Sequence, residues 1–204
     1  MSEHVRPRSR IQQKNRQIIL DAALREFAAR GFAGTTIDQI SEAARLSKPN
    51  VLYYFASKEA IYSQLLETLL DLWLAPLHIM DPAGEPKEQI LAYMHSKLAL
   101  SRDFPQESRL FANEILQGAP RLEAILGGGL RALVEEKAAV IAQWMEEGRI
   151  ARVDPHHLII SIWALTQHYA DFEIQIRAVL GPDRAPFDEA GAFLTHLYER
   201  LLAQ

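Results

Sequence analysis

The stretch that most constrains this chain is residues 36–62, TIDQISEAARLSKPNVLYYFASKEAIY. Ile37, Ile40, Ala43 and Ala44 recur at helical spacing after Thr35 and Thr36, either of which can cap a helix ending near Arg45. Ser47 is a second N-cap, with Pro49 inside the turn that follows, so a short helix spans about Lys48 to Phe55. Ser57, Ala60 and Ile61 open a third. Two helices joined by a tight turn, the second too short to be a core element, predict a helix-turn-helix. Val51, Leu52 and Phe55 are expected to hold the short helix to its domain, leaving Lys48, Asn50, Tyr53 and Tyr54 facing outward. Lysine neutralises phosphate, asparagine pairs with base edges and tyrosine hydroxyls bind phosphate. The first N–H groups of the helix are free to meet a phosphate as well.

Charge is divided in the way such a head requires. The net charge of −4 conceals ten Lys and Arg against five Asp and Glu in residues 1–58, and twelve against twenty-one in 59–204. A basic head of +5 therefore precedes an acidic body of −9. Arg6, Arg8, Arg10 and Lys14 form a basic arm suited to the phosphate backbone or the minor groove, or simply to solvent. Half the residues are hydrophobic and none is cysteine, which fits a globular chain without disulfides or thiolate chemistry. No run approaches the roughly eighteen apolar residues of a membrane span, and the polar N-terminus has no secretion-signal core. The expected location is the cytoplasm.

The run from Ile18 to Tyr62 resembles the DNA-binding domain of the TetR family of transcriptional repressors. The matching residues include Ile19-Leu20-Asp21-Ala22-Ala23, Phe27, Gly31-Phe32, Gly34-Thr35-Thr36, Leu46-Ser47, Leu52-Tyr53-Tyr54-Phe55 and Ser57-Lys58-Glu59. The resemblance implies a head over residues 1–55 and a ligand-binding, dimerising body over 56–204. It implies DNA contacts through Thr36, Ser47, Lys48, Asn50, Tyr53 and Tyr54, and a phosphate contact for Lys58. One departure is Arg45, where the family usually has glycine. If that position needs a positive φ, arginine costs about 1 kcal/mol there, and its charge can add a phosphate contact.

The remaining pattern is helical throughout, giving an all-α fold of about nine helices. Arg16–Arg30 is a supporting helix stopped by Gly31. A long fourth helix, about Ser57–Ile79, belongs to both halves and is the natural lever between them. Helices follow over Lys87–Ser101, Pro105–Gln117, Arg121–Glu147 with a break at Gly127-Gly128-Gly129, His156–Leu180 behind the Asp154 cap, and Pro186–Leu202. The last two present enough apolar surface for a homodimer interface of four helices, as two heads on a palindrome require.

No catalytic motif accompanies His156, His157 and His168, and adjacent histidines on a helix point apart. The reading is therefore not an enzyme, with neither cofactor nor metal. Arg102–Asp103 and Arg109–Glu114 read as internal ion pairs or as pocket linings, the first being favoured. The segments DLWLAPL (71–77), SRDFPQESRLF (101–111), EILQGAP (114–120) and DPHHLIISIWALTQHYADF (154–172) resemble the uracil-responsive, pyrimidine-utilisation branch of the TetR family. That resemblance implies a planar pyrimidine effector, uracil or thymine, whose binding releases DNA, with Trp73 and Gln167 lining its pocket. The residues suit this chemistry: a pyrimidine needs a face to stack on and an amide-like partner for its edges. Trp73 and Leu77 on the fourth helix, and Trp163, Gln167 and Tyr169 on the eighth, are the candidate lining residues. Trp163 and Gln167 are four apart and share a face. The alternative is a broad apolar pocket of the multidrug-sensing kind.

Overall fold

The structure, a computed structural model, describes residues 10–122 and 126–204. Arg6 and Arg8 of the basic arm lie outside the described residues. Ten α-helices and no strand occur among the described residues: α1 Arg10–Gly34, α2 Ile37–Ala44, α3 Lys48–Tyr54, α4 Lys58–His78, α5 Pro86–Asp103, α6 Pro105–Leu116, α7 Arg131–Glu146, α8 Pro155–Asp171, α9 Glu173–Leu180 and α10 Pro186–Leu201. The chain divides into two compact units, Met1–Thr68 and Leu69–Gln204, and the division falls within α4.

The first unit is built on α1. Its regular helix ends at Gly31, whose φ of 67° is open to glycine at no steric cost. The chain turns there and Thr35, fully buried, donates its hydroxyl to the Glu26 and Gly31 carbonyls. α2 then starts on a complete capping box: Thr36 Oγ1 accepts the Gln39 N–H at 3.3 Å, and Gln39 Oε1 accepts the Thr36 N–H at 2.8 Å. Ile19, Ala23, Phe27, Ile40, Val51, Phe55 and Ile61 form a core with almost no exposure. Tyr62 of α4 closes it edge-on, 4.8 Å from Phe27 and 4.9 Å from Phe32 between ring centres. That packing is why the first turns of α4 belong with this unit.

The second unit has a continuous apolar core in which Leu77, Ile90, Met94, Ile141, Trp144, Ile159, Leu194 and Tyr198 are all but completely enclosed. α8 starts where Asp154 accepts the His157 N–H at 3.0 Å, with Pro155 as first residue. Two elements depart from the sequence expectation. The helix expected over His156–Leu180 breaks at Phe172, whose φ of −116° and ψ of 32° leave the helical range, so α9 is a separate short helix. Just before the break, Asp171 at the end of α8 accepts the Ser108 hydroxyl of α6 at 2.5 Å. The helix expected from Arg121 begins instead at Arg131, after a π-helical turn over Leu126–Leu130 that contains the triple glycine.

Candidate nucleic-acid interface and ligand cavity

In the first unit, α2, the turn and α3 place Thr36, Arg45, Ser47, Lys48, Asn50 and Tyr53 on the exposed side. Arg45 is left-handed, φ 54° and ψ 39°, and its N–H closes α2 on the Ser41 and Glu42 carbonyls. Ser47 caps α3 by accepting the Asn50 N–H at 3.4 Å. Lys48 pairs with Asp38 at 2.9 Å, a solvent-facing contact that phosphate can outcompete. Tyr53 is 72% exposed and lies edge-on to Tyr54.

One residue differs from its expected role. Leu52 was expected to anchor α3 and is instead 39% exposed, because Val51 and Phe55, four apart, already occupy the inward stripe. The anchoring comes from Arg16 of α1. Its guanidinium donates to the Tyr54 carbonyl and to Gln64 Oε1, each at 2.9 Å, and stacks 4.0 Å over the Phe55 ring. Asn15 donates to the Tyr54 hydroxyl at 2.9 Å. Lys58 turns its ammonium inward, donating at 2.8 Å to the carbonyls of Phe32 and Thr35 and lying 4.3 Å over the Phe32 ring. It braces the junction of α1 and α2.

In the second unit, Trp73 of α4 and Trp163 and Gln167 of α8 come together around a cavity of about 50 Å³. Leu70 and Leu74 of α4, Phe111 of α6 and Leu130 close its walls, and Lys97 of α5 reaches into it. The indole N–H of Trp73 is buried without a hydrogen-bond partner among the described residues. The Trp163 indole N–H is already taken by the Tyr93 hydroxyl at 2.5 Å, which fixes that ring. Lys97 is only 3% exposed and its ammonium lies 4.4 Å over the Trp73 ring. Burial pushes its pKa down to about 7, against the opposing pull of Asp171. Burial likewise raises the Asp171 carboxyl, opposed by the Ser108 hydroxyl it accepts.

Leu77 and Tyr169 lie outside this cavity. Leu77 is sealed in the core, and Tyr169 borders a separate depression beside Phe193 and Leu180. Lys97 and Phe111 were not singled out from the sequence; a lysine three residues after Met94 and next to Leu98 on the apolar side of α5 was the available signal. A wider cleft of about 380 Å³ between α5 and α10 is lined by His95, Arg102, Asp188 and Thr195 and brings none of the expected lining residues together. Arg102 pairs with Asp103 at 2.8 Å on the surface. The expected Arg109–Glu114 pair is not formed: Glu114 is buried and accepts both the backbone N–H and the guanidinium of Arg121, at 3.0 and 3.2 Å. The turn at Gly118 and Ala119, both at positive φ, brings Arg121 back over α6.

A helix-turn-helix head followed by a wholly helical unit with an internal cavity defines a transcriptional regulator that carries its own sensor. Comparison with known proteins agrees. Residues 19–65 match the profile of bacterial regulatory proteins of the tetR family, and residues 66–203 match that of the YcdC-like protein C-terminal region. The HTH-type transcriptional regulator RutR of Escherichia coli K12 is 51% identical over 174 residues, covering 85% of this chain and 82% of the relative. TcmR of Streptomyces glaucescens is 27% identical, covering 72% and 61%. Among solved structures, AibR in complex with isovaleryl coenzyme A and operator DNA shares the fold, with a TM-score of 0.70 at 20% identity, covering 90% of this chain and 97% of AibR. The chain belongs to the TetR family and is a transcriptional regulator rather than an enzyme.

Proposed function

We propose that the protein is a cytoplasmic, homodimeric repressor that binds a palindromic operator and is released from it by a pyrimidine base, uracil or thymine. The observation that carries this is the cavity, which gathers Trp73, Trp163 and Gln167 from two helices around a small space. Its aromatic walls suit a flat ring, and Gln167 both donates and accepts, as the edge of a pyrimidine does. Two aromatic side chains and one amide on facing helices suit a single flat ring better than the varied bulky guests of a multidrug sensor.

DNA contact falls to Thr36, Arg45, Ser47, Lys48, Asn50 and Tyr53, with Tyr54 positioned through Asn15 and Arg16. Lys58 acts as a brace. Because α4 carries both Tyr62 of the head core and Trp73 of the cavity, a ligand that displaces Trp73 acts on an element the head depends on. By linkage, operator DNA must weaken effector binding by the factor by which effector weakens DNA binding. The apolar residues left exposed on α8 and α10, Ile160, Leu165, Phe193, Leu197 and Leu201, suit pairing with a second copy.

Calorimetric titration with uracil tests the reading. Saturable binding at one site per chain, together with uracil-dependent release of promoter DNA, is the expected result. Absence of heat with uracil and with thymine leaves a TetR-family regulator with a different effector.

A further inference from the structure

We propose that Lys97 is the specificity-determining residue of the effector cavity, donating a hydrogen bond to a carbonyl oxygen of a 2,4-dioxopyrimidine and thereby excluding the amino-substituted ring of cytosine. This rests on the pyrimidine reading above and narrows it.

The polar groups that line the cavity are unequal in kind. The Trp73 indole can only donate, and an ammonium brings donors and no acceptor. Gln167 alone supplies a carbonyl. Such a site is matched by a guest with two carbonyl oxygens and a ring N–H. Cytosine replaces one of those oxygens by an amino group, which sets a donor against a donor and leaves a buried ammonium unpaired.

The setting of Lys97 separates it from the other buried lysine. Lys137 is satisfied within the protein, pairing with Glu136 at 3.0 Å and donating to the Met80 carbonyl at 3.4 Å. Lys97 instead lies over the face of the same indole whose N–H is unpartnered, with its head in the cavity lining. An aromatic face offsets only part of the desolvation of a buried charge. A ligand carbonyl supplies the remainder. The charged group that acts on Lys97 is Asp171 on α8, which is itself acted on by His168 of α8 and Arg109 of α6; Tyr93 lies one turn back on α5 itself. Burial opposes the ammonium form and Asp171 favours it, so the group is a charged donor below about pH 7 and a neutral amine, a weaker donor with a lone pair of its own, above that value.

The test compares the wild type with Lys97→Met and Lys97→Gln, titrated with uracil and with cytosine at a pH below and a pH above about 7. Methionine keeps the apolar stem and removes a buried charge, so the variant folds. The proposal expects Lys97→Met to weaken uracil by about tenfold or more, to narrow the preference over cytosine, and to flatten the pH dependence of the wild type. Lys97→Gln, which keeps a donor without charge, is expected to fall between. Uracil affinity and preference that survive in Lys97→Met overturn this assignment and leave the effector reading standing. A wild-type protein that binds neither base overturns both.

Discussion

The ammonium of Lys97 and the indole of Trp73 are stacked 4.4 Å apart in a region from which water is almost wholly excluded. The lysine is on α5 and the tryptophan on α4, so the contact ties two helices through a charge that the protein interior disfavours.

That charge has a sign in the stability of the fold. The folded pKa of Lys97 is about 7 against an ordinary value of 10.5, so between these values the unfolded chain binds the extra proton. Stability contributed by this group therefore rises with pH across that window, and the penalty is fully present below about pH 7. Lys97→Met is expected to melt higher than the wild type at neutral pH, with the gap closing as pH approaches 10.5. Thermal unfolding by circular dichroism across that range measures it.

Gln167→Ala removes the amide that both donates and accepts in the cavity. Loss of such a hydrogen bond from a buried site amounts to about 1–3 kcal/mol, or roughly a ten- to hundredfold weaker uracil affinity. Operator binding in the absence of effector is expected to stay at the wild-type level. Calorimetry and a DNA mobility shift together check the split.

Arg45→Gly separates backbone strain from charge. Relief of the left-handed conformation is worth about 1 kcal/mol, reduced by the greater freedom of glycine in the unfolded chain. The variant should be slightly more stable and yet bind operator less tightly. Its salt dependence should lose about one unit of slope in a double-logarithmic plot, the signature of one phosphate contact.

Tyr53→Ala and Lys58→Met should fail in opposite ways. Tyr53 is largely exposed, so its loss changes stability by about 0.5 kcal/mol or less while weakening operator binding. Lys58 closes two backbone carbonyls at 2.8 Å, and charged hydrogen bonds contribute about 1.5–3 kcal/mol. Its replacement should lower the melting temperature of the head. Paired melting and operator titrations distinguish the two.

The head was legible because its signals are local. Thr36 and Ser47 announce their helices through cap spacing of three residues, as Asp154 does in the body, and each makes that hydrogen bond. Arg45 could be marked because the family usually has glycine there, and its φ of 54° is the left-handed conformation that glycine favours. Arg16 could not be read in the same way, because its partners Tyr54 and Gln64 lie 38 and 48 residues away and nothing local points to them. The bracing contacts of Lys58 were hidden for the same reason: nothing local shows that the Phe32 and Thr35 carbonyls fold back over its ammonium. In the body, the i, i+4 pair Trp163 and Gln167 could be placed on one face. Lys97 and Phe111 join them only through the packing of α5 and α6 against α8, which no spacing in the chain encodes. Leu77 and Tyr169 had the right chemistry on the right helices but point elsewhere.

Arg16 holds a carbonyl at the end of α3, a side chain of α4 and the ring between them with one guanidinium. In mechanical terms this is a joint without backlash. Such a joint couples the end of α3 to the first turns of α4 through one side chain, so a single substitution at Arg16 would uncouple the two helices while leaving each of them intact.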